Sequence, residues 1–596
     1  MHTVLQADGW ITVGAATVRG RAFVDGKLLD PKAIAARFDE VVAADTTSQA
    51  SKTVDSDWVP FCKTHTPSTL DRVATTAEML DGFFAAVVIS GDAMYVVADG
   101  ARSIPLYYAS DGPIVSDRGQ IVADTVESEV DPVAESEFLL TRYVTGGETI
   151  WTEVGSTVPG EVHRVSSNGV CRQRYQPHWP GGDVAVARSE SNGTRRANEK
   201  ILQAGFETAL DRLQQVADGR PVVIPLSGGF DSRLIAAGLV QRGHEVIGFT
   251  FGRSGHPDVE VSREVADRLD IQWEFVPYTQ HDWAEWYHGN AGDEYCRRAF
   301  SGDALPFLAE WPAVHQLKTS GRVPADALFC PGHTVATPGE RLPQFSANGT
   351  EMAGSSDENG DTIEPTIAAL VEYIVETHYS LWEWDSEAFR SAITKRIRRG
   401  LLGNRSSNAI ANAEMAAAAY ERWEVMGRMA TFTNGDLRVY EDAGLDWWLP
   451  LWDPAYAAAW QQLPAETRRG KSSHTALATT YYEQAADVST KRATVTDRSL
   501  SPSDRMCALL RHTPIRQFTE RDGEWDPPFL TRRSAWNKPG QHPLAWYGIL
   551  PPTVRENIDQ ERSLYALRTL AATGQLDFSD PGATAPDGRL SLSVDD

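Results

Sequence analysis

The chain has 596 residues, too many for one hydrophobic core, so two to four domains are expected. Its formal net charge of -25 argues against a nucleic-acid partner, which would be held through a basic face. The sequence has no run of about 18 apolar residues and no signal-peptide pattern. We therefore expect a cytoplasmic protein with no membrane partner.

Lysine is scarce in this chain. Ten of the 56 basic residues are lysine and the others are arginine. An acidic composition that favours arginine over lysine is typical of a halophile, because salt screens the repulsion between like charges. A high-GC mesophile with an acidic proteome is the alternative, and composition leaves both open.

The amino-terminal third is rich in strand patterns. One hairpin is predicted from the runs 13–20 and 21–27, and a second from the runs 80–89 and 93–99. Shorter strand patterns follow at 104–109 and 114–117. This part of the chain is therefore expected to be built mainly from strands.

The most informative stretch is Pro225-Leu226-Ser227-Gly228-Gly229-Phe230-Asp231-Ser232-Arg233. An apolar run over 221–226 precedes it and a helical pattern over 234–240 follows, which predicts a strand, a glycine turn and a helix. Such a turn presents backbone N–H groups at a helix N-terminus, where unpaired donors and the helix dipole favour a phosphate. We therefore expect a phosphate site at this turn.

Each residue type in the turn suits that ligand. Gly228 and Gly229 let the backbone come close to an anion, and Ser227 and Ser232 add hydroxyl donors. Asp231 repels a phosphate by itself, and it is accounted for if Mg²⁺ bridges its carboxylate to the phosphates. An ordinary Gly-Gly turn before a helix is the alternative interpretation.

Strand and helix patterns continue to alternate after this turn. Strand patterns lie at 245–252 and 273–276, and an amphipathic helical pattern lies between them at 258–269. This alternation predicts a parallel, doubly wound sheet. Ligands bind such sheets at the carboxyl ends of the strands, where the glycine turn lies.

Two groups of motifs resemble the asparagine synthetase family. The Ser-Gly-Gly-x-Asp-Ser hexapeptide at 227–232 resembles the pyrophosphate-binding loop of the N-type ATP pyrophosphatases. The runs 80–85, 98–108 and 116–117 resemble the class II glutamine amidotransferase domain that precedes it in this family. The resemblance implies an α/β fold, in which an αββα sandwich precedes a doubly wound parallel-sheet ATP pyrophosphatase (adenine nucleotide alpha hydrolase-like) domain with helical additions.

The same resemblance suggests how the chain is divided. We expect a class II glutamine amidotransferase-like domain at 1–180 and an asparagine synthetase-type ATP pyrophosphatase domain at 195–495. A helical carboxy-terminal extension is expected at 496–578, followed by a disordered tail at 579–596.

The start of the chain departs from the family pattern. Glutaminases of this class use an amino-terminal cysteine as the nucleophile, because a thiolate is needed to form the glutamyl thioester. This chain begins Met1-His2-Thr3, and its first cysteine is Cys62. Glutamine hydrolysis is therefore not expected.

The resemblance also implies site residues outside the turn. Residues Thr250, Phe251 and Gly252 correspond to the family's backbone contacts to adenine, and Gly332 to a second phosphate-side loop. In that loop His333 replaces a glutamate that helps to deprotonate the amine, and imidazole is able to act as a base near neutral pH. Lys471 corresponds to a lysine that stabilises the developing charge at the α-phosphate, with a solvated lysine as the alternative.

The second loop also lacks an acid. Ala336 replaces the family's second Mg²⁺ ligand, unless Glu340 or a more distant acid takes that role. This replacement leaves two functions open.

The first is an ATP-dependent amidoligase of the asparagine synthetase type, a carbon-nitrogen ligase that uses ATP and Mg²⁺. It would adenylate a small-molecule carboxylate, release pyrophosphate, and form an amide with ammonia or an amine. The alternative is a catalytically weakened nucleotide-binding homologue that acts through interactions. A monomer and a homodimer both stay open.

Overall fold

The computed structural model describes residues 2–43, 68–110, 112, 114–180, 194–346, 362–381, 384–403, 405, 410, 412–486, 520–521, 524–525 and 562–575. The predictions about Cys62 and about the tail at 579–596 lie outside the described residues. Among the described helices, none is long and apolar enough to cross a membrane.

Strands predominate before residue 175. The strands are β1 (His2–Val4), β2 (Ile11–Val13), β3 (Ala16–Val24), β4 (Lys27–Leu29), β5 (Asp81–Ser90), β6 (Ala93–Ala98), β7 (Tyr107–Ala109), β8 (Ile114–Ser116), β9 (Val154–Ser156), β10 (Glu161–Ser166) and β11 (Gly169–Arg174). The helices are α1 (Pro31–Ala43), α2 (Ser68–Glu78), α3 (Gly119–Val126) and α4 (Pro132–Thr141).

These elements form four layers. An antiparallel sheet has the order β11-β10-β6-β5-β3-β2, with β4 paired to β3, and a second sheet has the order β1-β8-β7-β9. Successive residues of β5 point to opposite faces of the sheet. Phe84 therefore packs with Phe38 of α1 and Val73 of α2, whereas Phe83 lies in the hydrophobic core on the other face. Helix α3 contacts β7 and β8 of the second sheet. The expected αββα sandwich is confirmed.

The predicted turn near Gly20 is wrong. Strand β3 runs straight through Gly20 (φ +100°), and the turns lie near Gly14 and Gly26 instead. A Cβ on Gly20 would clash with the backbone of Phe83 and Phe84 on β5. The glycine therefore allows two strands to approach closely rather than forming a turn.

The remaining elements combine a parallel sheet with many helices. The strands are β12 (Val222–Pro225), β13 (Val246–Gly252), β14 (Gln272–Pro277), β15 (Leu328–Phe329), β16 (Gln344–Phe345), β17 (Thr362–Ile363), β18 (Asp446–Trp447), β19 (Glu520–Arg521) and β20 (Glu524–Trp525). The α-helices are α5 (Thr194–Ala217), α6 (Phe230–Gln241), α7 (Pro257–Leu269), α8 (Gln280–His288), α9 (Asn290–Ala299), α10 (Trp311–Thr319), α11 (Ile367–His378), α12 (Glu387–Leu402), α13 (Ala413–Glu424), α14 (Arg438–Asp442), α15 (Pro454–Gln461), α16 (Ala465–Arg468), α17 (Ser472–Ala486) and α18 (Arg562–Ala572).

The central sheet is parallel throughout, with the order β14-β13-β12-β15-β18. The chain moves outward in one direction from β12 to β14 and in the other direction from β15 to β18. The strand order therefore reverses between β12 and β15, and such a switch point opens a crevice at the carboxyl ends of the strands. The expected doubly wound sheet is confirmed, and the loops after β12 and β15 both lie at the crevice.

Candidate functional site

The predicted phosphate loop joins β12 to α6 and is held by its own side chains. Ser227 Oγ accepts a hydrogen bond from the Gly229 N–H at 3.2 Å, and Ser232 Oγ accepts one from the Ser227 N–H at 3.4 Å. Arg233, which is buried, donates to the Gly228 carbonyl at 3.3 Å. The four predicted loop residues Ser227, Gly228, Gly229 and Ser232 therefore lie together at the start of α6.

Asp231 and Lys471 meet at this helix start. Lys471 Nζ lies 2.8 Å and 2.9 Å from the two carboxylate oxygens of Asp231, and 2.9 Å from Glu340 Oε1. The lysine side chain is 5% exposed. Lys471 also has a left-handed backbone conformation (φ +56°), which is rare for a residue with a side chain. One ammonium group therefore bridges two carboxylates, and this set is called the lysine bridge below.

Contacts between charged groups outweigh burial in setting the pKa values of the lysine bridge. Burial alone would raise the pKa of Asp231, but contacts from His474 and Lys471 outweigh it and lower that pKa to about 2. Burial would lower the pKa of Lys471, but Asp231 and Glu340 outweigh burial and raise it. The carboxylate of Asp231 is therefore ionised and the lysine charged at neutral pH.

His474 and Tyr456 extend the lysine bridge into the core. His474 Nε2 lies 2.7 Å from Asp231 Oδ1, and its Nδ1 lies 2.6 Å from the hydroxyl of Tyr456. Both residues are fully buried. His474 therefore holds Asp231 in place from the side opposite to solvent, and the sequence analysis missed it.

The second predicted loop follows β15 and packs directly on the first. A Cβ built on Gly332 would lie 2.8 Å from the backbone nitrogen of Ser232 and 3.2 Å from Asp231 Cβ. Real Cβ atoms do not approach a backbone atom that closely, so only glycine fits here. Gly332 thus sets the spacing of the two loops at the switch point.

His333 faces an acid that the sequence analysis did not identify. Its Nε2 lies 3.8 Å from Asp436 Oδ2, and the two side chains are 15% and 12% exposed. Among the described residues, His333 Nδ1 and Asp436 Oδ1 have no hydrogen-bond partner. Burial lowers the pKa of His333 to about 4, and burial raises the pKa of Asp436 well above its usual range.

The predicted adenine contacts lie beside the phosphate loop. Strand β13 pairs with β12 as far as Pro225 and Phe249, so Thr250, Phe251 and Gly252 extend past the end of the neighbouring strand. Thr250 Oγ1 donates to the carbonyl of Leu226 at 2.8 Å. This hydroxyl joins β13 to the loop. The carbonyl of Gly252 already accepts a hydrogen bond from the N–H of Tyr278.

The lysine bridge offers a metal two carboxylates, and the imidazole of His474 lies next to them. No group of three or more His, Cys, Asp or Glu able to hold a metal occurs among the described residues. Mg²⁺, however, usually takes one or two protein carboxylates together with substrate phosphates and waters. The ammonium of Lys471 already stands between Asp231 and Glu340 as a cation, so this pair of carboxylates fits Mg²⁺ that arrives with a nucleotide. Ala336, where the sequence resemblance implies a metal ligand, is fully buried and offers no ligand.

Comparison with known proteins identifies one family. Residues 206–292 match the family model described as asparagine synthase. Asparagine synthetase [glutamine-hydrolyzing] 2 of Oryza sativa subsp. japonica is 28% identical over 207 residues, which cover 32% of this chain and 29% of that protein. Its namesake in Arabidopsis thaliana is 26% identical over 220 residues, which cover 34% of this chain and 32% of that protein. The match therefore spans about a third of the length of these curated relatives.

A solved structure is also similar, but distantly. Glutamine phosphoribosylpyrophosphate (PRPP) amidotransferase from B. subtilis complexed with ADP and GMP covers 62% of this chain and 71% of its own, with 11% identity and a TM-score of 0.15. That TM-score is too low to support an argument. The family-model match over residues 206–292 and the curated relatives confirm the resemblance to the asparagine synthetase family that was found in the sequence.

Proposed function

We propose that this protein is an ATP-dependent amidoligase of the asparagine synthetase type. The observation that carries the proposal is the lysine bridge, in which Lys471 contacts Asp231 of the phosphate loop and Glu340. A substrate carboxylate attacks the α-phosphorus of ATP, the bond to the pyrophosphate breaks, and an acyl-adenylate forms. Ammonia or an amine then attacks the acyl carbon and releases AMP.

The phosphate loop binds the pyrophosphate part of ATP in this proposal. The backbone N–H groups of Ser227 and Gly229 now bond to the loop's own hydroxyls, and they exchange those partners for phosphate oxygens. The position of Thr250, Phe251 and Gly252 past the end of β12 supports an adenine site beside the loop.

Asp231 and Glu340 would hold Mg²⁺, which when bound neutralises phosphate charge. The ammonium of Lys471 stabilises the negative charge that develops at the α-phosphate during attack. His474 keeps Asp231 in place, because its contact comes from the buried side.

His333 is the proposed base for the attacking amine, with Asp436 as its positioning residue. The lowered pKa of His333 keeps the imidazole neutral at pH 7 and therefore able to accept a proton. Its Nδ1 is buried and has no partner among the described residues. The nitrogen therefore has a lone pair for the amine's proton once the amine enters the site. A pKa of about 4 makes a weak base, so we expect this step to be slow.

The proposal also covers the amino-terminal region. We propose that 1–180 is a glutamine amidotransferase-like domain without glutaminase activity; among its described residues the one cysteine, Cys171, lies within β11. The pyrophosphatase domain at 195–495 then takes free ammonia or an amine. The acidic composition supports a cytoplasmic, salt-adapted protein.

The test is pyrophosphate release from Mg·ATP and ammonia with a panel of carboxylates at high salt. We expect at least one carboxylate to give release that Asp231→Asn abolishes, while Asp258→Asn, a change of an acid near the start of α7, leaves it unchanged. No release across the panel, with ATP still bound, would contradict the amidoligase. A parallel glutaminase assay is expected to show no activity.

The second candidate is a catalytically weakened nucleotide-binding homologue that acts through interactions. The buried Ala336 and the low pKa of His333 favour it, because the loop after β15 lacks the acids expected there. ATP binding that depends on Asp231, without pyrophosphate release for any carboxylate, is the result expected for this candidate.

A further inference from the structure

A short segment that follows α9 lies inside the amino-terminal αββα sandwich. Residues 300–305 are joined to the sandwich by backbone hydrogen bonds of 2.8–2.9 Å at three points, where the N–H groups of Ile150, Val144 and Leu305 donate to the carbonyls of Gly302, Asp303 and Arg142. The ring of Phe300 packs edge-on against the ring of Phe138 in α4. The sandwich and the part of the chain that carries the parallel sheet are therefore built into each other at this segment.

Asp303 of this segment fixes Arg102 of the sandwich. The Asp303 carboxylate forms an ion pair with the Arg102 guanidinium and accepts a hydrogen bond from the Tyr107 hydroxyl at 2.9 Å. Arg102 Nε donates to the carbonyl of Thr157, and Arg102 is 3% exposed. Its backbone is left-handed (φ +50°), a conformation that persists in a residue with a side chain only where the surroundings hold it. These contacts therefore fix the conformation of residues 101–103, which are called the Arg102 turn below.

The Arg102 turn contacts the helical stretch that carries Asp436. Asn434 Nδ2 donates to the carbonyl of Ala101 at 2.8 Å, and Arg438 Nη2 donates to the carbonyl of Ser103 at 2.7 Å. Both donors lie where a short 3₁₀-helix leads directly into α14, and Asn434 is fully buried. The two carbonyls of the turn therefore hold the residues two before and two after Asp436.

The carboxylate of Asp436 depends on this backbone for its position, because it makes no hydrogen bond within the part of the chain that the structure describes. Its Oδ2 lies 3.8 Å from His333 Nε2, on the loop after β15. The other charged groups that act on this pair are Arg142, Arg428, Glu310 and Asp231. The helical stretch that carries Asp436 therefore sets the distance between the carboxylate and the imidazole.

We propose that the Arg102 turn is a positioning element of the candidate site, which places Asp436 opposite His333 through its contacts with Asn434 and Arg438. This role rests on the proposed function, in which His333 is the base and Asp436 its positioning residue. It gives the sandwich a part in amide formation that requires no glutaminase. A misplacement of about 1 Å at a reacting group costs about 10²-fold in rate, so contacts remote from the substrate are able to control the reaction.

The test is the carbon NMR signal of His333 Cε1 in the full chain labelled on histidine, recorded at pH 7 without substrate and identified by its loss in His333→Gln. We expect Asn434→Leu to shift this signal in the same direction as Asp436→Asn does. The double variant of these two should shift it no further than Asp436→Asn alone, because both changes act on one contact. Arg21→Met is the matched control: it removes an ion pair between the sandwich and Asp446 of β18 that does not involve the Arg102 turn, and it should leave the signal unchanged.

The NMR measurement needs no turnover, so its result is separate from that of the pyrophosphate assay. A shifted His333 signal without pyrophosphate release for any carboxylate would contradict the amidoligase and leave the positioning contact standing. With a carboxylate that does react, Asn434→Leu should lower kcat by about 10–100-fold and change the pH profile as Asp436→Asn does, with the ATP affinity unchanged.

Two results would overturn the proposal. One is a His333 signal in Asn434→Leu that coincides with that of the wild type. The other is an equal shift in Arg21→Met, which would indicate a general loosening between the two parts of the chain. If Asn434→Leu does not fold, Arg438→Met is the second variant, because this side chain is 13% exposed and its removal breaks the contact with Ser103. An unshifted signal in Arg438→Met would also contradict the proposal.

Discussion

Replacing Lys471 with methionine removes the one cation between Asp231 and Glu340. Breaking a buried ion pair costs about 3–5 kcal/mol when the partner is left buried. The cost here is smaller, because the side chains of Asp231 and Glu340 are 27% and 48% exposed and water screens them. His474 also remains 2.7 Å from Asp231. We expect the free energy of unfolding to fall by about 2–3 kcal/mol at pH 7.

The assay is denaturant unfolding of Lys471→Met beside Lys395→Met, a matched change at an exposed lysine on α12. The double variant Lys471→Met with Asp231→Asn is expected to be destabilised by less than the sum of the two single changes. Each single change leaves the charge of the other residue without its partner, whereas the double change removes both charges. In the pyrophosphate assay, Lys471→Met should be slower by about 10²–10³-fold, as for other removed transition-state donors. Full additivity in unfolding, or unchanged pyrophosphate release, would refute the role given to Lys471.

Three further predictions concern the loop spacing, acid stability and the proposed base. Gly332→Ala should lower stability by about 1–3 kcal/mol in denaturant unfolding, because its Cβ would lie 2.8 Å from the Ser232 nitrogen; Gly112→Ala, where a Cβ meets open space, is the control. Burial lowers the pKa of His163 and His333 from 6.5 to about 4. On acidification these two histidines therefore take up protons in the unfolded chain at a higher pH than in the folded chain. Stability should therefore fall as pH drops from about 6.5 to 4, by up to about 3 kcal/mol for each histidine, and unfolding midpoints that do not change over this range would contradict it. Asp436→Asn should change the pH profile of amide formation at saturating ATP without weakening ATP binding, and an unaltered profile would remove Asp436 from the mechanism.

Local sequence patterns were enough to predict the parts of the fold that depend on neighbouring residues. The run from β12 through the glycine turn into α6 was predicted because strand, turn and helix signals follow one another within about twenty residues. The β5–β6 hairpin was predicted for the same reason. The prediction of a turn near Gly20 was wrong, because a glycine in a strand pattern has two explanations, a turn or the close approach of another backbone. Only the pairing of β3 with β5 distinguishes them.

The sequence by itself determined the resemblance to the asparagine synthetase family, the strand–turn–helix at the 227–232 motif and the alternation of strands and helices, since each is a pattern of adjacent residues. Only the tertiary structure decided which side chains meet at that loop. Lys471 lies 240 residues from Asp231, and contacts over such distances depend on how the sheet is ordered rather than on any local signal. His474 and Asp436 could not be identified in the sequence for the same physical reason: burial and contact with a distant partner are properties of the packed chain.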